Sequence, residues 1–324
     1  MPKSKPKKEN QKNNSNFIRI CIGVLLLLVG LGLVLIFSKK NYQNPNLAIK
    51  SKFGSLIDQK SQTPSSTPTP TLTPCPPTPT PTLTPEQIAE IKRKKFEEWN
   101  AKYGPCRWVP ILMYHHVMDP DAAKEINATN LNVATNTFRE QMDYLLAKGY
   151  SILRLDEMMA GLRSGSLPAK PVVLTFDDGY RDFYDNVFPI LREKGIKATV
   201  FAISQFVGGP RYVEWWQLRE MSGSGLVLVG DHTLNHLSLP KLSIDEQRNQ
   251  IVSAKKILED YVGQKVEYFA YPYGSYNGVS EQVLKENGFG GAVTTTNVDP
   301  QCVGLPYQLS RIRIGGGSMS RYGL

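Results

Sequence analysis

Asp177 and Asp178 end an apolar run in PVVLTFDDGY (residues 171–180), and all four histidines of the chain fall in two short stretches, MYHHV (113–117) and HTLNH (232–236). His232 and His236 are four residues apart, so one turn of helix brings both imidazoles to the same side. Two imidazoles and one carboxylate make a three-ligand metal site with open positions for water and substrate. The second carboxylate is then free to act as the base that deprotonates an attacking water. Asp-Asp-Gly by itself is most often a turn, because Asp and Gly tolerate the dihedrals turns need. Side chains alternate along a strand, so adjacent carboxylates are aimed at one place only if the chain bends there. A third stretch, FAYPYGSYN (269–277), has a proline-fixed turn that can present the Tyr273 N–H to a developing oxyanion.

Such residues need strand ends to hold them, and the sequence from Arg107 onward supplies strands. WVPILMYHHV, SILRL, PVVLTF, KATVFAIS, LVLVGDH, VEYFAYP and GAVTTT read as strands. Between them TFREQMDYLLAKG, DFYDNVFPILREKG, WWQLREMSGSG, LSIDEQRNQIVSAKKILEDYVG and VSEQVLKENG read as helices, most of them followed by glycine. This alternation predicts an α/β layer or barrel of parallel strands with crossover helices. In such a fold a strand-end aspartate or histidine is a natural active-site position.

TFDDGY, HTLNH and YPYG, in this order and spacing, resemble the polysaccharide deacetylase homology domain of the family 4 carbohydrate esterases, over residues 107–324. VPILMYHHV and FREQMDYLLAKGY resemble one branch, the extracellular poly-N-acetylglucosamine deacetylases. The resemblance implies a distorted (β/α) barrel and a hydrolase that removes acetate from an N-acetylglucosamine polymer. It implies Asp177 as general base, Asp178, His232 and His236 as ligands of a divalent metal, usually zinc, and the Tyr273 N–H as an oxyanion donor. Two departures bear on the mechanism. The common family form has an arginine where this chain has Ala270, and its usual general acid is a late histidine, whereas none follows His236 here. In the resembled branch, which is circularly permuted, an N-terminal strand supplies the acid; His115 matches that position, with His116 as the adjacent alternative. The two point to opposite faces of a strand, so only one can reach the site. Arg311 and Arg313 of LSRIRI are candidates to replace the missing arginine. The departures leave open a glycan-binding module without turnover, and the metal site also suits an O-acetyl esterase. Trp215, Trp216 and Tyr276 can line a sugar groove or pack in the core.

Charge and hydropathy organise the rest of the chain. The net charge is +9, but residues 1 to 40 hold eight basic residues and one acid, which leaves the remainder nearly neutral. That balance gives no footprint for nucleic acid. After a basic stretch (1–19), Ile20 to Phe37 is an eighteen-residue run without a charge. As a helix it reaches about 27 Å, close to a hydrocarbon core of about 30 Å. It ends in FSKK without a small-residue cleavage site, which predicts an uncleaved single-pass anchor in the cytoplasmic membrane. The basic residues before it predict a cytoplasmic N-terminus, with the catalytic domain outside facing the cell wall. A linker (38–85) follows, its Pro/Thr-rich part (63–85) an extended spacer of about 70 Å. A capped helix (86–104) then leads into the catalytic domain (105–324). Cys106 and Cys302 lie near the two ends of that domain and can pair, leaving Cys75 over.

Overall fold

The computed structural model describes residues 84–296 and 300–324. The expected basic N-terminus, membrane anchor and linker up to residue 83 lie outside the described residues, and the last two linker residues, Thr84 and Pro85, instead cap and open a helix. Among the described residues no helix is long and apolar enough to cross a membrane.

The strands are β1 (Cys106–Arg107), β2 (Ile111–Tyr114), β3 (His116–Val117), β4 (Asn132–Val133), β5 (Ser151–Leu153), β6 (Pro171–Phe176), β7 (Ala198–Ala202), β8 (Val227–Asp231), β9 (Tyr268–Ala270), β10 (Gly291–Val293), β11 (Gln301–Cys302) and β12 (Ile312–Arg313). The helices are α1 (Pro85–Tyr103), α2 (Pro120–Glu125), α3 (Thr135–Ala147), α4 (Leu155–Ser164), α5 (Phe188–Lys194), α6 (Trp215–Gly223), α7 (Ile244–Val262) and α8 (Gly278–Glu286). The main sheet runs β10-β9-β8-β7-β6-β2-β12 with every neighbour parallel, and β5 pairs with the first half of β6. The sheet is a curled half-barrel. It curls far enough for one segment to touch both edges: Leu309 bridges to Val293 of β10, and three residues later Ile312 pairs with Leu112 of β2.

Alternation along β6 divides the core. Val172, Leu174 and Phe176 pack with Phe138, Met142 and Leu145 of α3 on the outer face. Val173 packs on the inner face with Ile111, Phe201, Ala270 and Val293. All six residues of β6 are buried, as expected of a central strand covered on both sides. Asp177, one step beyond the strand, continues the inner-face set of Val173 and Thr175. Its N–H donates to the Tyr114 carbonyl at 3.0 Å, so the pairing with β2 extends to the first catalytic candidate.

The inner face is filled by α4, an element the sequence reading passed over. SILRL was expected to be one strand, but the strand stops at Leu153. Glu157 then accepts the Arg154 N–H at 3.0 Å and a helix begins. Leu155, Met158, Met159 and Leu162 follow helical spacing and all enter the inner cluster. The expected strand WVPILMYHHV also divides, into β2 and β3, with His115 at the break. In α1 the capping box joins Thr84 and Gln87. Ile88 and Ile91 on this helix are exposed. The helix meets the domain through Phe96, which is stacked on Trp108. Cys106 and Cys302 stand opposite each other in the β1/β11 register and form a disulfide that joins positions 196 residues apart.

Candidate metal and catalytic site

The two aspartates leave β6 through a bend with positive φ at consecutive residues, 75° at Asp178 and 75° at Gly179. A side chain at 179 would set its Cβ 3.2 Å from the Ala202 Cβ, so both the dihedral and the space call for glycine. The bend is what separates the two carboxylates. Asp177 faces the buried Arg311 and Asp178 the histidines His232 and His236.

Asp177 meets Arg311 in a fork. Nη1 donates to Oδ1 and Nη2 to Oδ2, each at 2.7 Å, and Arg311 has no exposed surface. The guanidinium is itself fixed, since Nε donates to the Thr294 carbonyl at 2.8 Å and Nη1 also reaches Thr175 Oγ1 at 3.2 Å. Burial works to raise the pKa of Asp177, but Arg311 outweighs it and holds the carboxyl below its ordinary value. Of the two candidates, Arg311 takes the place beside Asp177. Arg313 turns outward to the Asn130 carbonyl at 3.0 Å. At Ala270 the backbone carbonyl accepts from His232 Nδ1 at 2.7 Å.

That bond leaves His232 Nε2 facing Asp178, at 3.4 Å from Oδ1, while His236 Nε2 lies 3.5 Å from the same oxygen. The three ligand atoms all lie within 4.8 Å of one another. Asp178 Oδ1 is buried and has no hydrogen-bond partner. An orphaned carboxylate oxygen between two imidazole nitrogens fits a divalent cation, and a donor set of one oxygen and two nitrogens suits zinc. The His232–carbonyl bond is the outer support that ligating histidines usually have. Burial, followed by the charge of His232, pushes the pKa of His236 down to about 4. Burial opposes the charge of Asp178, but His232 outweighs it and Asp178 remains ionised.

The histidines do not share a helical turn, contrary to the expectation from their spacing. HTLNH is a loop with positive φ at Thr233 (68°) and His236 (63°). Local hydrogen bonds fold it: Thr233 N–H donates to Asp231 Oδ1 at 2.7 Å and His236 N–H to Thr233 Oγ1 at 2.9 Å. Ser204 N–H and Gln250 hold it from either side, the first through the Thr233 carbonyl and the second by accepting the Leu234 N–H. The rings still meet, with centroids 4.8 Å apart.

His115, at the break between β2 and β3, and His116, in β3, have different neighbours. His115 is half-buried, and the charges of Asp177 and Asp178 act on it; burial outweighs them and lowers its pKa. His116 is buried, its Nδ1 3.0 Å from Asp182 Oδ1. Tyr273 sits at the YPYG turn with φ 59° and its ring edge-on to His236 at 4.6 Å. Gly274 and Ser275 donate the bonds that close this turn, and neither uses the Tyr273 N–H. Trp215 stacks on Tyr261 at 4.2 Å and Tyr276 on Tyr271 at 4.8 Å, so both pack against the protein. Trp216 is exposed on α6 beside Tyr184. Sequence reasoning missed Asp182, which follows the DDGY motif by two residues and carries no motif of its own.

Comparison with known proteins agrees with this geometry. The family described as Polysaccharide deacetylase matches residues 164–292. The chain is 30% identical over 237 residues to YxkH of Bacillus subtilis, which bears the same family name, spanning 72% of this chain and 81% of that protein. It is 29% identical over 229 residues to the poly-beta-1,6-N-acetyl-D-glucosamine N-deacetylase of Staphylococcus epidermidis, covering 64% and 76% of the two chains. The solved structure of the Streptococcus pyogenes deacetylase PplD, in complex with acetate, superposes with a TM-score of 0.58 at 35% identity, over 64% of this chain and 92% of that one. With its fold, its motifs and these relatives in agreement, the chain belongs to the polysaccharide deacetylase family, hydrolases that act on carbon–nitrogen bonds other than peptide bonds.

Proposed function

We propose that this protein removes N-acetyl groups from N-acetylglucosamine units of a cell-surface polysaccharide, releasing acetate, with a divalent metal held by Asp178, His232 and His236. The observation that carries the reading is the convergence of these three ligands on the orphaned Asp178 oxygen, next to a carboxylate already paired with arginine. Zinc is the metal its donor set favours, and the substrate class is supported by the name of the Staphylococcus epidermidis relative.

When bound, the metal supplies a Lewis acid that polarises the acyl carbonyl and makes a water more acidic. Asp177 accepts a proton from the attacking water. Arg311 keeps it ionised and aimed by two parallel hydrogen bonds. The Tyr273 N–H donates to the carbonyl oxygen as negative charge develops on it. As the C–N bond breaks, His115 in its protonated form delivers a proton to the departing amine. The new C–O bond leaves acetate, and the sugar keeps a free amine. The charge-free run at 20–37 and the Pro/Thr-rich segment after it support an outward-facing domain anchored to the cytoplasmic membrane.

The test is acetate release from short N-acetylglucosamine oligomers before and after chelation, with zinc added back. We expect activity to disappear with the metal and return with it. Turnover that persists after complete metal removal sinks the proposal, and faster release from O-acetylated than from N-acetylated sugar points to an esterase instead. Glycan retention without acetate release at any metal loading identifies a binding module.

A further inference from the structure

Asp182 and Asn186 have no task in this reaction, yet both hold the backbone that carries His115. His115 stands at the break between β2 and β3, so no strand runs through it. On its upstream side the chain is tied at Tyr114, whose carbonyl accepts the Asp177 N–H at 3.0 Å. On its downstream side the tie is at Val117, which has no exposed surface. Asp182 Oδ2 accepts the Val117 N–H at 2.6 Å, and Asn186 Nδ2 donates to the Val117 carbonyl at 2.8 Å. Both backbone polar groups of Val117 are therefore taken by side chains four positions apart, at the widened π-helical turn Phe183–Val187. Residues four apart on a helical turn face the same way, so a single turn clamps the strand.

Further contacts stiffen the same strand. Asp182 Oδ1 lies 3.0 Å from His116 Nδ1, and the His116 ring lies flat on Tyr180, with centroids 3.7 Å apart and 21° between planes. Met118 exchanges two hydrogen bonds with the Asn132 side chain, at 3.0 and 3.1 Å. The ties at Tyr114, His116 and Val117 all lead to residues 177–186, the stretch that leaves β6 with Asp177 and Asp178. His115 is thus suspended between points fixed to the stretch that carries the base. An acid catalyst must stand within hydrogen-bond reach of the group it protonates. A misplacement of about 1 Å can cost about 10²-fold in rate.

We propose that Asp182 and Asn186 are positioning residues for His115, which they fix relative to Asp177 and Asp178 by holding the two backbone polar groups of Val117. This inference rests on the reaction proposed above, in which His115 protonates the departing amine. It explains why a buried acid follows the DDGY motif and spends both oxygens on the strand after His115. The clamp serves proton delivery alone, and that separates it from residues that hold the metal or the water. An amine leaves an amide only when it is protonated, whereas para-nitrophenolate leaves an ester as a stable anion and needs no acid. Loss of the clamp must then show on the amide and spare the ester.

The experiment measures kcat and KM of the zinc-loaded wild-type protein, Asp182→Ala and Asn186→Ala, on short N-acetylglucosamine oligomers and on para-nitrophenyl acetate. Zinc content is measured on the same samples. We expect Asp182→Ala to lower kcat on the oligomers about 10- to 100-fold, a part of the 10²- to 10⁴-fold that a positioned acid contributes. Its KM, zinc content and ester turnover should stay close to wild type. Asn186→Ala removes one bond of the clamp and should show a smaller loss of the same kind. If Asp182→Ala does not fold, Asn186→Ala decides alone. Oligomer kcat equal to wild type overturns the inference, and so does an equal loss on both substrates, which would mark a general disturbance of the site. A wild-type protein that cleaves the ester but releases no acetate from the oligomers overturns the proposed reaction, and the clamp with it.

Discussion

Asp177 and Asp178 are adjacent and almost equally buried, at 4% and 6% exposure, yet their surroundings are opposite. Both oxygens of Asp177 are taken by one guanidinium at 2.7 Å. Asp178 turns an oxygen with no donor toward two imidazoles. Burial cannot tell the two apart; pairing does. A carboxylate saturated by arginine is held ionised and has no room for a cation. A carboxylate left short of a partner has lost its water without compensation, a cost that a metal ion removes. The bend at Asp178 and Gly179 lets one strand end serve both purposes.

The largest effects should come from the unsaturated side. Asp178→Ala removes the carboxylate of the ligand set, so zinc stoichiometry by elemental analysis should fall from one to near zero and acetate release should vanish. Metal-free stability should fall as well, because the buried His232 imidazole 3.4 Å away, which holds Asp178 ionised, loses its partner. A variant that still binds zinc and turns over breaks the comparison at its root. Asp177→Asn should do the reverse. Zinc stays bound while kcat falls by about 10²- to 10⁴-fold, the range for losing a positioned acid or base. Loss of zinc from Asp177→Asn would mean that the two carboxylates share one task.

The saturated side was the harder one to read from sequence, for a physical reason. TFDDGY and HTLNH declare themselves through residue type, and alternation along PVVLTF sets which residues share a face with Asp177. Arg311 and Arg313 are two apart, so a strand pattern gives both to one face and cannot choose between them. The choice depends on where the segment passes from one sheet edge to the other. Arg311 N–H bonds the Thr296 carbonyl beside β10, and two residues later Arg313 is paired with Met113 of β2. That crossing is a contact between distant parts of the chain, and no local pattern encodes it. The same holds for HTLNH. Its spacing announced that the histidines meet, but two left-handed residues and a side-chain hydrogen bond bring them together in place of a helical turn. The inner helix α4 is a different case. Its apolar spacing was in the sequence, and the strand pattern of SILRL just before it drew the boundary too late.

Arg311→Met tests the fork by itself and should have the next largest effect. Removing one partner of a buried pair leaves an uncompensated charge, which costs about 3–5 kcal/mol in chemical denaturation. The pH dependence has a definite sign. The folded-state pKa of Asp177 is lowered, so the fork's contribution is present above the ordinary carboxylate range and is lost as pH falls through the lowered value. Without Arg311 burial meets only the weaker opposition of His232 and His115, and the pKa rises. The acid limb of kcat/KM should therefore move to higher pH in Arg311→Met. An unmoved limb would show that Asp177 is not the group that must ionise for activity.

The smallest effect should come from Tyr273, which lies beside the proposed metal ligand His236 and in the proposed reaction offers only its backbone. Its ring is 66% exposed and touches the site only edge-on, at 4.6 Å from His236. The turn that aims its N–H is set by Pro272 and by Gly274, where an added Cβ would lie 2.1 Å from Thr295 Oγ1. Alanine and tyrosine share the same aversion to a φ of 59°, so Tyr273→Ala leaves the turn as it is. We expect kcat on N-acetylglucosamine oligomers to change by no more than a few-fold, with any larger change confined to KM. A hundredfold loss in kcat would mean that the phenol takes part in the reaction, and the oxyanion donor would have to be sought elsewhere at these strand ends.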